Sequence, residues 1–332
     1  MSVFKSINLD KSMYKAYGST FTGELEKLDP TEGYAGTELA ELDAYQRQLK
    51  RFDIHVSGSQ SDSIQKFFAT TDSAYLFPEY VSRAVSQGMN DAELLSKIIA
   101  TKTDINSLDY RSIITDLSES DKTMAAVAEG AAIPQTTISL SDTLVTLIKR
   151  GRMLVASYES IKFQRLDLFT VTLRQIGAFI AKAQMGDAVA ALTAGAVSTD
   201  SETAGKITYG DLLRLWGSFG DYEMNTLLAS PSTVQSLLSL SEMQDATAGL
   251  SFHGTGKLIT PMGAQIIKTS CVPANTIIAL DNRFALEMVT AGGVLTDYDK
   301  LIDSQMERAA VTSIAGFGKI FPAAVKILKI KA

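Results

Sequence analysis

The sequence predicts an α+β fold in which one unusually long helix accompanies short helices and strands. The long helix is indicated by residues 166–192, which contain no proline and place apolar side chains along one side. Short apolar runs separated by turn formers indicate strands and further helices between residues 207 and 315. Two other stretches, residues 1–65 and 116–150, are too polar or too thin to form a core of their own. A chain with such dependent segments must pack them on something else.

The N-terminal stretch holds one amphipathic segment. Leu39, Leu42, Leu49 and Phe52 fall near one face of a helix predicted from Thr37 to Asp53, and the opposite face is charged. A single amphipathic helix cannot bury its apolar stripe alone. The segment is therefore expected to dock either on the body of its own chain or on another subunit, and both alternatives stay open.

The next part of the chain predicts a helix and then a long hairpin. A helical pattern begins at Leu76, and strand-like residues follow around Ile98–Thr101 and Arg111–Ile114. Polar and apolar residues alternate over 137–147, and the return strand reaches Val155–Ser157. A two-stranded arm of this length has too small a core to be stable alone, so it needs a neighbour to lie on.

The long helix is the clearest element of the sequence. Apolar residues recur along one side, among them Leu173, Ile176 and Ile180. Asp167 is suited to cap the N-terminus, and Gly195 is suited to end the helix. About 26 residues at 1.5 Å per residue give a rod of about 40 Å, which predicts a structural spine.

The C-terminal part predicts a compact α/β unit followed by alternating strands. Thr208 caps a predicted helix that runs through Trp216, and Ser230 with Pro231 opens another. The predicted strands are Thr226–Ala229, Ala264–Ile267, Thr276–Leu280, Phe284–Val289, Ala309–Ala315 and Ala323–Ile330.

Composition and charge exclude several classes of protein. The net charge of -6 argues against a protein that coats nucleic acid, although a mildly acidic surface can enclose DNA without gripping it. Charged residues make up only 20 % of the chain, which fits a protein that hides much of its surface against partners. No run of about 18 apolar residues is present that would span a membrane. Met1–Lys5 lacks the apolar region of a secretory signal, so folding in a reducing cytoplasm is expected.

Motifs of catalysis and of cofactor binding are missing. The chain contains no HExxH, no GxGxxG after a strand, no GxxxxGK[ST] and no GxSxG. His55 and His253 are isolated in polar surroundings. Cys271 is the only cysteine, and its apolar surroundings are typical of a buried strand thiol rather than of a nucleophile. We therefore predict a protein that is not an enzyme and carries no cofactor.

One acidic cluster has the composition of a cation site. Asp297, Asp299 and Asp303 lie close together in the sequence. They lack the glycine and the distal glutamate of a calcium loop. A solvated, charged connection around Tyr298 is the better interpretation.

Several short segments, in their order and spacing, resemble the major capsid proteins of tailed bacteriophages. They are Val127–Pro134, the long helix from Leu166 to near Gly195, Ser230–Thr233, Pro261–Ile267, Val272–Pro273 and Ile278–Asp281. The resemblance covers roughly residues 75–330. The fold of this family is shared with encapsulins and with the herpesvirus capsid floor.

The resemblance implies a division of the subunit and a shell of many copies. The implied parts are an N-terminal arm (1–75), a peripheral domain with the spine helix (76–111, 157–207 and 316–332), an extended loop (112–156) and an axial domain (208–315). Hexamers and pentamers are expected to form an icosahedral virion shell around double-stranded DNA, after synthesis and assembly in the bacterial host cytoplasm. Expected partners are other copies of the chain, a portal, and scaffold or decoration proteins, with no membrane.

Contacts between subunits are expected on the arm and on the extended loop. The residues assigned to them are Leu39, Leu42, Leu49, Phe52, Glu129, Pro134 and Lys149. Some members of the family also join subunits by an isopeptide bond between a loop lysine and an asparagine. The candidates here are Lys122 or Lys149 with Asn225, Asn275 or Asn282, and ordinary surface lysines are the simpler interpretation.

Three other functions compete with a capsid. An encapsulin-like compartment shares the fold but encloses protein cargo, and the long N-terminal extension argues against it. A tail or baseplate protein also self-assembles, yet a spine helix does not fit the β-sheet of a tail tube. A hydrolase lacks support because no triad or metal set is visible. In many relatives a leading scaffold region is removed by a protease, whereas we expect the N-terminal segment here to stay uncleaved and docked.

Overall fold

The computed structural model of the protein describes residues 7–14, 20–107, 110–114, 126–133, 139–140, 144–157, 159–160, 164–244, 257–301, 303 and 305–331. The α-helices are α1 (Phe21–Leu28), α2 (Ala44–Arg51), α3 (Thr71–Ala74), α4 (Phe77–Asp91), α5 (Leu166–Thr193), α6 (Tyr209–Gly217), α7 (Pro231–Leu238) and α8 (Ser241–Gln244). Short 3-10 helices lie at Lys11–Tyr14, Thr31–Tyr34, Ile64–Phe68, Leu95–Lys97 and Pro322–Ala324.

The strands are short except for two. They are β1 (Thr101–Asp104), β2 (Ile113–Ile114), β3 (Ser139–Leu140), β4 (Ile148–Ser157), β5 (Val197–Asp200), β6 (Thr226–Ala229), β7 (Gln265–Lys268), β8 (Thr276–Leu280), β9 (Leu286–Thr290), β10 (Leu295–Leu301), β11 (Met306–Lys319) and β12 (Val325–Lys329).

The chain forms two compact units. The first unit consists of residues 1–93, 150–181 and 293–313, and the second consists of 94–149, 182–292 and 314–332. The division falls within β4, α5 and β11, each of which contributes residues to both units. These units do not coincide with the arm, loop, peripheral and axial parts expected for a subunit in a shell, which stay predictions.

The core of the first unit includes the N-terminal segment. Apolar side chains of α1 and α2 pack with those of α4 and of the first half of α5, among them Phe21, Leu25, Tyr45, Leu49, Phe77, Val81, Leu173 and Ile176. Phe77 is central, because its ring centroid lies 5.6 Å from that of Phe67 and 5.6 Å from that of Tyr298. The predicted docking of the polar N-terminal segment therefore takes place on its own chain, and hydrophobic burial stabilises it there.

Two glycines let α4 and α5 cross in close contact. A Cβ atom on Gly88 would lie 2.1 Å from the carbonyl oxygen of Arg174, and one on Gly177 would lie 2.1 Å from that of Val85. No side chain fits in such a gap, because backbone atoms on both sides cannot yield. The crossing therefore requires glycine on both helices.

The second unit is built on a mixed five-stranded sheet. Its strand order is β5-β12-β8-β6-β7, in which β12–β5 and β6–β7 are parallel and the other pairs are antiparallel. Alternate residues of a strand point to opposite faces of this sheet, and each face packs into a different apolar core. In β8, Ile278 packs with the second half of α5, whereas Ile277 packs with α6 and α7. Both faces of the sheet are thus covered, which explains why its central strands read as continuous apolar runs.

Most predicted elements are confirmed. The spine helix runs from Leu166 to Thr193, and Gly195 ends it with a φ of +65° that a side chain would disfavour. Thr208 and Ser230 cap α6 and α7 through their side-chain oxygens. Asp167 lies inside the first turn of α5 and does not precede the helix as expected. Its carboxylate still accepts a hydrogen bond from the backbone N–H of Leu168, at 2.8 Å.

The helix predicted from Thr37 to Asp53 is shorter than expected. It begins only at Ala44, because Asp43 and Gln46 form a capping box that fixes the N-terminus. Residues 38–42 make a turn instead, in which the N–H of Leu42 donates to the carbonyl of Leu39 at 3.2 Å. The apolar spacing was right for the buried face but did not reveal this boundary.

Three smaller predictions are wrong. The strand expected around Ile98–Thr101 begins at Thr101, because Ile98 ends a 3-10 turn and is buried. The charged segment around Tyr298 is strand β10, which pairs with β11, and Tyr298 packs against the first core. Cys271 lies in a turn after β7 rather than in a strand.

Candidate functional site

A buried arginine joins two parts of the N-terminal segment, helix α2 and the turn after α1. Arg47 of α2 is fully buried, and its Nε donates to the carboxylate of Asp29 at 3.0 Å. Its guanidinium also donates to the carbonyl oxygens of Leu42 at 2.6 Å and of Asp29 at 2.5 Å, and to Thr31 Oγ1 at 3.0 Å. A fully buried charge is tolerable only when it is paired and hydrogen-bonded throughout. Arg47 therefore locks the turn after α1 onto α2.

A second arginine joins this segment to helix α4. The guanidinium of Arg83 donates to Asp43 at 2.7 Å, to Glu79 at 2.9 Å and to Thr22 at 2.8 Å. It also lies over the Tyr45 ring, 4.4 Å from the centroid. Burial by itself lowers the pKa of Arg83, but its bonds to the two carboxylates outweigh this effect and raise the pKa. The N-terminal segment is thus held by charge pairing as well as by apolar contact.

A buried carboxylate lies where the predicted extended loop begins. Glu287 of β9 accepts hydrogen bonds from the hydroxyls of Tyr110 at 2.5 Å, Ser112 at 2.7 Å and Thr103 at 2.8 Å. Burial, and then the bond to Glu287, raises the pKa of the Tyr110 hydroxyl. A charged acceptor strengthens each of these bonds. Glu287 therefore anchors residues 110–112 to strand β9.

The returning side of the same loop lies over two glycines of β11. A Cβ atom on Gly316 would come within 2.7 Å of the Thr146 carbonyl oxygen, and one on Gly318 would come within 3.2 Å of the Val145 side chain. The N–H of Val145 donates to the carbonyl of Tyr110 at 2.9 Å, which joins the outgoing and returning segments. Residues 110–112 and 145–146, which we call the loop root, are therefore fixed to β9 and β11 within the second unit.

A groove of about 560 Å³ opens beside this root, in the second unit. Its lining includes Thr146, Asp187, Phe317 and Lys319. The ammonium of Lys319 donates to the carbonyl of Ala194 at 2.7 Å, just after the end of α5. Burial lowers the pKa of Lys319. This lysine satisfies a carbonyl at a helix C-terminus, which is a structural role.

Large apolar side chains remain exposed on several elements. In the first unit they include Leu168, Val171 and Phe179 of α5, and Met153 and Val155 of β4. In the second unit, residues 126–133 are all exposed, and Ile133 keeps 76 % of its surface accessible. Exposed apolar side chains mark contacts with other molecules where they form contiguous patches, whereas single ones are normal on any protein surface.

The residues predicted to contact other subunits have different environments. Leu39 and Leu49 are buried in their own chain, and Leu39 is only 1 % exposed. Leu42 and Phe52 are half-buried, and Phe52 packs against the first core. These positions favour docking of the segment on its own chain. Glu129 and Lys149 are exposed, whereas Pro134 lies outside the described residues. The four arm residues belong to the first unit, whereas Glu129 and Lys149 belong to the second.

The candidates for chemistry are engaged in ordinary structural contacts. His55 pairs with Asp62 at 3.3 Å, and the Cys271 thiol donates to the Lys182 carbonyl at 3.4 Å. Asp299 pairs with Arg308 at 2.7 Å across the β10–β11 ladder. Within the described ranges, no three histidine, cysteine or acidic side chains are grouped so that they could hold a metal ion. Among the described helices, none combines the length and hydrophobicity of a membrane span.

The asparagines considered for a cross-link have partners of their own. The side-chain amide of Asn225 donates to Asn282 at 2.9 Å and to the buried carboxylate of Asp281 at 3.0 Å. The Asn282 amide donates to the Lys97 carbonyl at 3.0 Å. Asn275 holds a turn with a φ of +59°. Lys122, the other loop lysine besides Lys149, lies outside the described residues.

Sequence reasoning missed the residues that organise these contacts. Arg47 falls on the charged face of the helix predicted from Thr37 to Asp53, and Arg83 falls within the helix predicted from Leu76. Glu287 is one position of the strand predicted over Phe284–Val289. A signal was available for Glu287, because a single charge within a run of buried strand residues requires buried partners. Helix spacing also indicates the pair of Glu79 with Arg83, which are four residues apart. The partners Asp29 of Arg47 and Asp43 of Arg83 are distant in the sequence and cannot be found by periodicity.

Comparison with known proteins gives one family and a set of similar folds. A model of the phage capsid protein family matches residues 140–320. No curated protein sequence matches the chain. The chain is similar to the virus-like particle from Pyrococcus furiosus, with 14 % identity and a TM-score of 0.54 over 76 % of this chain and 98 % of that one.

Two other solved structures have a comparable likeness. The capsid of the native GTA particle, computed with C5 symmetry, shows 16 % identity and a TM-score of 0.56 over 75 % of this chain and 91 % of that one. The capsid of the cyanophage P-SCSP1u shows 13 % identity and a TM-score of 0.52 over 71 % and 88 %. At such identities the likeness concerns the fold.

Proposed function

The chain belongs to the phage capsid protein family, and from that membership we propose that it is a major capsid protein whose copies assemble into an icosahedral shell. The observation that carries this function is the family match over residues 140–320, more than half of the chain. The α+β fold agrees with it, since the capsids of the GTA particle and of the cyanophage P-SCSP1u share that fold over 75 % and 71 % of the chain. The subunits would form hexamers and pentamers of a virion shell around double-stranded DNA.

Within such a shell we assign the parts of the subunit as the sequence predicts them. Residues 1–75 would be the arm and 112–156 the extended loop. Residues 76–111, 157–207 and 316–332 would form the peripheral domain, and 208–315 the axial domain. What supports the loop assignment is its root, where Glu287 and the glycines of β11 hold residues 110–112 and 145–146.

The extended loop would be the main strap between neighbouring subunits. Residues 126–133 carry Val127 and Ile133 on a segment that its own chain leaves uncovered. The opposite surface would be the exposed apolar face of α5, formed by Leu168, Val171 and Phe179. Interfaces in obligate assemblies commonly bury thousands of Å² and are rich in apolar contacts. Glu129, Pro134 and Lys149 would lie at this interface, whereas Leu42 and Phe52 offer only a partial surface.

The same shell would enclose DNA without specific binding. The net charge of -6 leaves no excess of basic residues to neutralise phosphates. Portal, scaffold and decoration proteins are the further partners that assembly of such a shell would involve, and the host cytoplasm is the expected place of synthesis. The protein would act by assembly, without a cofactor or a catalytic step.

Electron microscopy of the purified protein, together with assay of nuclease-protected DNA in particles from infected cells, tests this function. Closed icosahedral particles that protect DNA are the expected result. Particles that contain protein cargo and no DNA would establish an encapsulin-like compartment instead. Tubes, or small oligomers under every condition of assembly, would contradict a capsid.

A further inference from the structure

Helix α6 presents an apolar face that its own unit does not cover. Leu212 and Leu215 point into the core of the second unit, whereas Leu213 and Trp216 keep 44 % and 50 % of their surfaces accessible. Trp216 is the only tryptophan of the chain. Tryptophan loses a large apolar surface when it is buried and is enriched among the residues that dominate binding energies. An exposed Leu–Trp pair one helical turn apart is therefore a candidate interface.

The backbone beside this pair is open to close approach. Gly210 and Gly217 lie on the same side of α6 as Leu213, since residues three and four apart share a helix face. A Cβ atom on Gly217 would meet no other atom within 4 Å, and one on Gly210 would meet only Thr208 Oγ1 at 3.7 Å. Without side chains there, a partner can reach the helix backbone and pack closely around the indole ring.

The charges of α6 are already paired. Arg214 donates to Asp211 at 2.7 Å and to Glu202 at 2.8 Å. Covering this face would therefore not leave a buried charge without a partner, which is the usual cost of docking on a charged surface. The same pairing argues against nucleic acid as the partner, because phosphate binding needs available basic side chains.

We propose that the face of α6 formed by Gly210, Leu213, Trp216 and Gly217 is an interface between copies of this chain, and that assembly buries Trp216 against a neighbouring subunit. This inference rests on the proposed function, which supplies identical copies as the constant neighbours of every subunit. A closed ring of identical subunits needs heterologous contacts, in which one face of each copy meets a different surface of the next. An uncharged face with one aromatic anchor suits such a contact.

The single tryptophan makes the proposal directly measurable. Tryptophan emission and its quenching by acrylamide are recorded for unassembled subunits and for purified shells. We expect the emission maximum of shells to lie at shorter wavelength and the quenching to be weaker by roughly twofold or more, since the ring leaves water. Shells whose Trp216 stays as accessible as in free subunits, or becomes protected only when another protein is added, would overturn the inference and leave the capsid function intact. Failure to form shells at all would overturn the function itself.

Variants separate this interface from general effects on folding. Trp216→Ser and Leu213→Ser are expected to keep the circular dichroism spectrum of the free subunit and to lower the yield of shells several-fold. Gly217→Ala adds one methyl group to the face and is expected to lower shell yield without lowering the unfolding midpoint. Gln235→Ser changes an exposed polar residue of α7, outside this face, and is the control that should assemble normally. Wild-type yields for Trp216→Ser and Gly217→Ala would contradict the proposal.

Discussion

At the scale of residues, Gly88 and Gly177 allow α4 and α5 to approach until their backbones are in contact. Each would place a Cβ atom within 2.1 Å of a backbone carbonyl oxygen of the other helix. In contrast, a Cβ atom on Gly186, further along α5, would meet nothing within 4 Å. Gly177 and Gly186 of α5 therefore differ in what a side chain would meet, although each lowers the helix propensity of α5 by the same amount.

Replacement of Gly177 and of Gly186 by alanine should change the free energy of unfolding in opposite directions. Gly177→Ala forces backbone against backbone and is expected to lower the free energy of unfolding by roughly 2–4 kcal/mol. Gly186→Ala removes a flexible residue from a helix interior and is expected to raise it by about 0.5–1 kcal/mol. Urea unfolding of the unassembled subunits measures both. Equal effects of the two substitutions would mean that the helices do not cross at Gly177.

Asp281 provides an acid-sensitive contact in the second unit. Burial alone raises its pKa, but hydrogen bonds from the Arg283 side chain and from the backbone amides of Glu223 and Arg283 outweigh burial and lower the pKa below 3.8. Because the folded pKa is below the unfolded one, the stabilisation is complete above pH about 4 and is lost as the pH falls further.

Asp281→Asn should remove this contribution. We expect the free energy of unfolding at neutral pH to fall by about 1–3 kcal/mol, since Arg283 loses a charged acceptor. The remaining stability should then decline less steeply below pH about 4 than that of the wild type. Thermal unfolding at a series of pH values measures this. Glu93→Gln, which removes an exposed carboxylate, is the control and should change stability at neutral pH by less than about 0.5 kcal/mol. If the stability of Asp281→Asn declines below pH about 4 as steeply as that of the wild type, Asp281 does not make this contribution.

At the scale of elements, the N-terminal segment owes its order to contacts with other elements. Helices α1 and α2 have eight residues each, which is too short for a stable helix in isolation. They are held by apolar packing on α4 and α5 and by the bonds of Arg47 and Arg83. The segment is thus held within the first unit of its own chain.

Arg47→Met tests how much the buried charge contributes to this docking. The substitution leaves Asp29 buried without its cation and is expected to cost about 3–5 kcal/mol of stability. Lys50→Met, at an exposed position of the same helix, is the matched control and should cost less than about 0.5 kcal/mol. Limited proteolysis of residues 20–52, together with urea unfolding, gives the readout. Equal resistance to proteolysis in both variants would show that apolar packing alone holds the segment.

The root of the extended loop depends on Glu287. Glu287→Ala leaves the hydroxyls of Tyr110, Ser112 and Thr103 without their common acceptor and should destabilise the unit by about 1.5–3 kcal/mol. Glu287→Gln keeps one acceptor oxygen and should cost less. Hydrogen exchange of the amide of Val145, which bonds to Tyr110, should become faster in the alanine variant. If exchange there stays unchanged, the carboxylate does not hold the root.

At the scale of the whole molecule, exposed apolar surface is the feature that connects fold with assembly. Both units have compact cores, yet each leaves large apolar side chains accessible on regular elements or on the loop. Such surface is costly for a monomer and useful for a subunit that is always surrounded by copies of itself.

Deletion of residues 121–135 tests the strap directly. The deletion leaves the loop root and both cores in place, so the subunit should fold, but it should remain as monomers or capsomers that do not close. A gentler variant, Val127→Ser with Ile133→Ser, should keep the loop and lower shell yield, because only exposed apolar side chains are changed. Electron microscopy and sedimentation measure the outcome, and normal shells from the deletion would contradict the role of the strap.

Sequence periodicity was reliable where burial depends on near neighbours. It predicted the spine helix within one or two residues, the caps of α6 and α7, and strands β6 and β8, because helix and strand spacing place apolar residues on one side. It failed for the start of α2, where a capping box rather than the apolar pattern sets the boundary. It also failed for β10, where the aspartates indicated a solvated connection. The segment is a strand, and Tyr298 packs against the first core.

The sequence by itself determined the kind of chain: an α+β protein with a spine helix, segments too thin to stand alone, and the ordered motifs of a capsid subunit. Those properties depend only on the composition of the chain and on the spacing and order of its residues, all of which can be read from the sequence. Only the tertiary structure decided where the N-terminal segment docks, which charges are buried and which apolar faces stay open. Arg47 with Asp29, Arg83 with Asp43, and Glu287 with Tyr110 are pairs separated by long stretches of chain, and their energies depend on burial that packing alone creates.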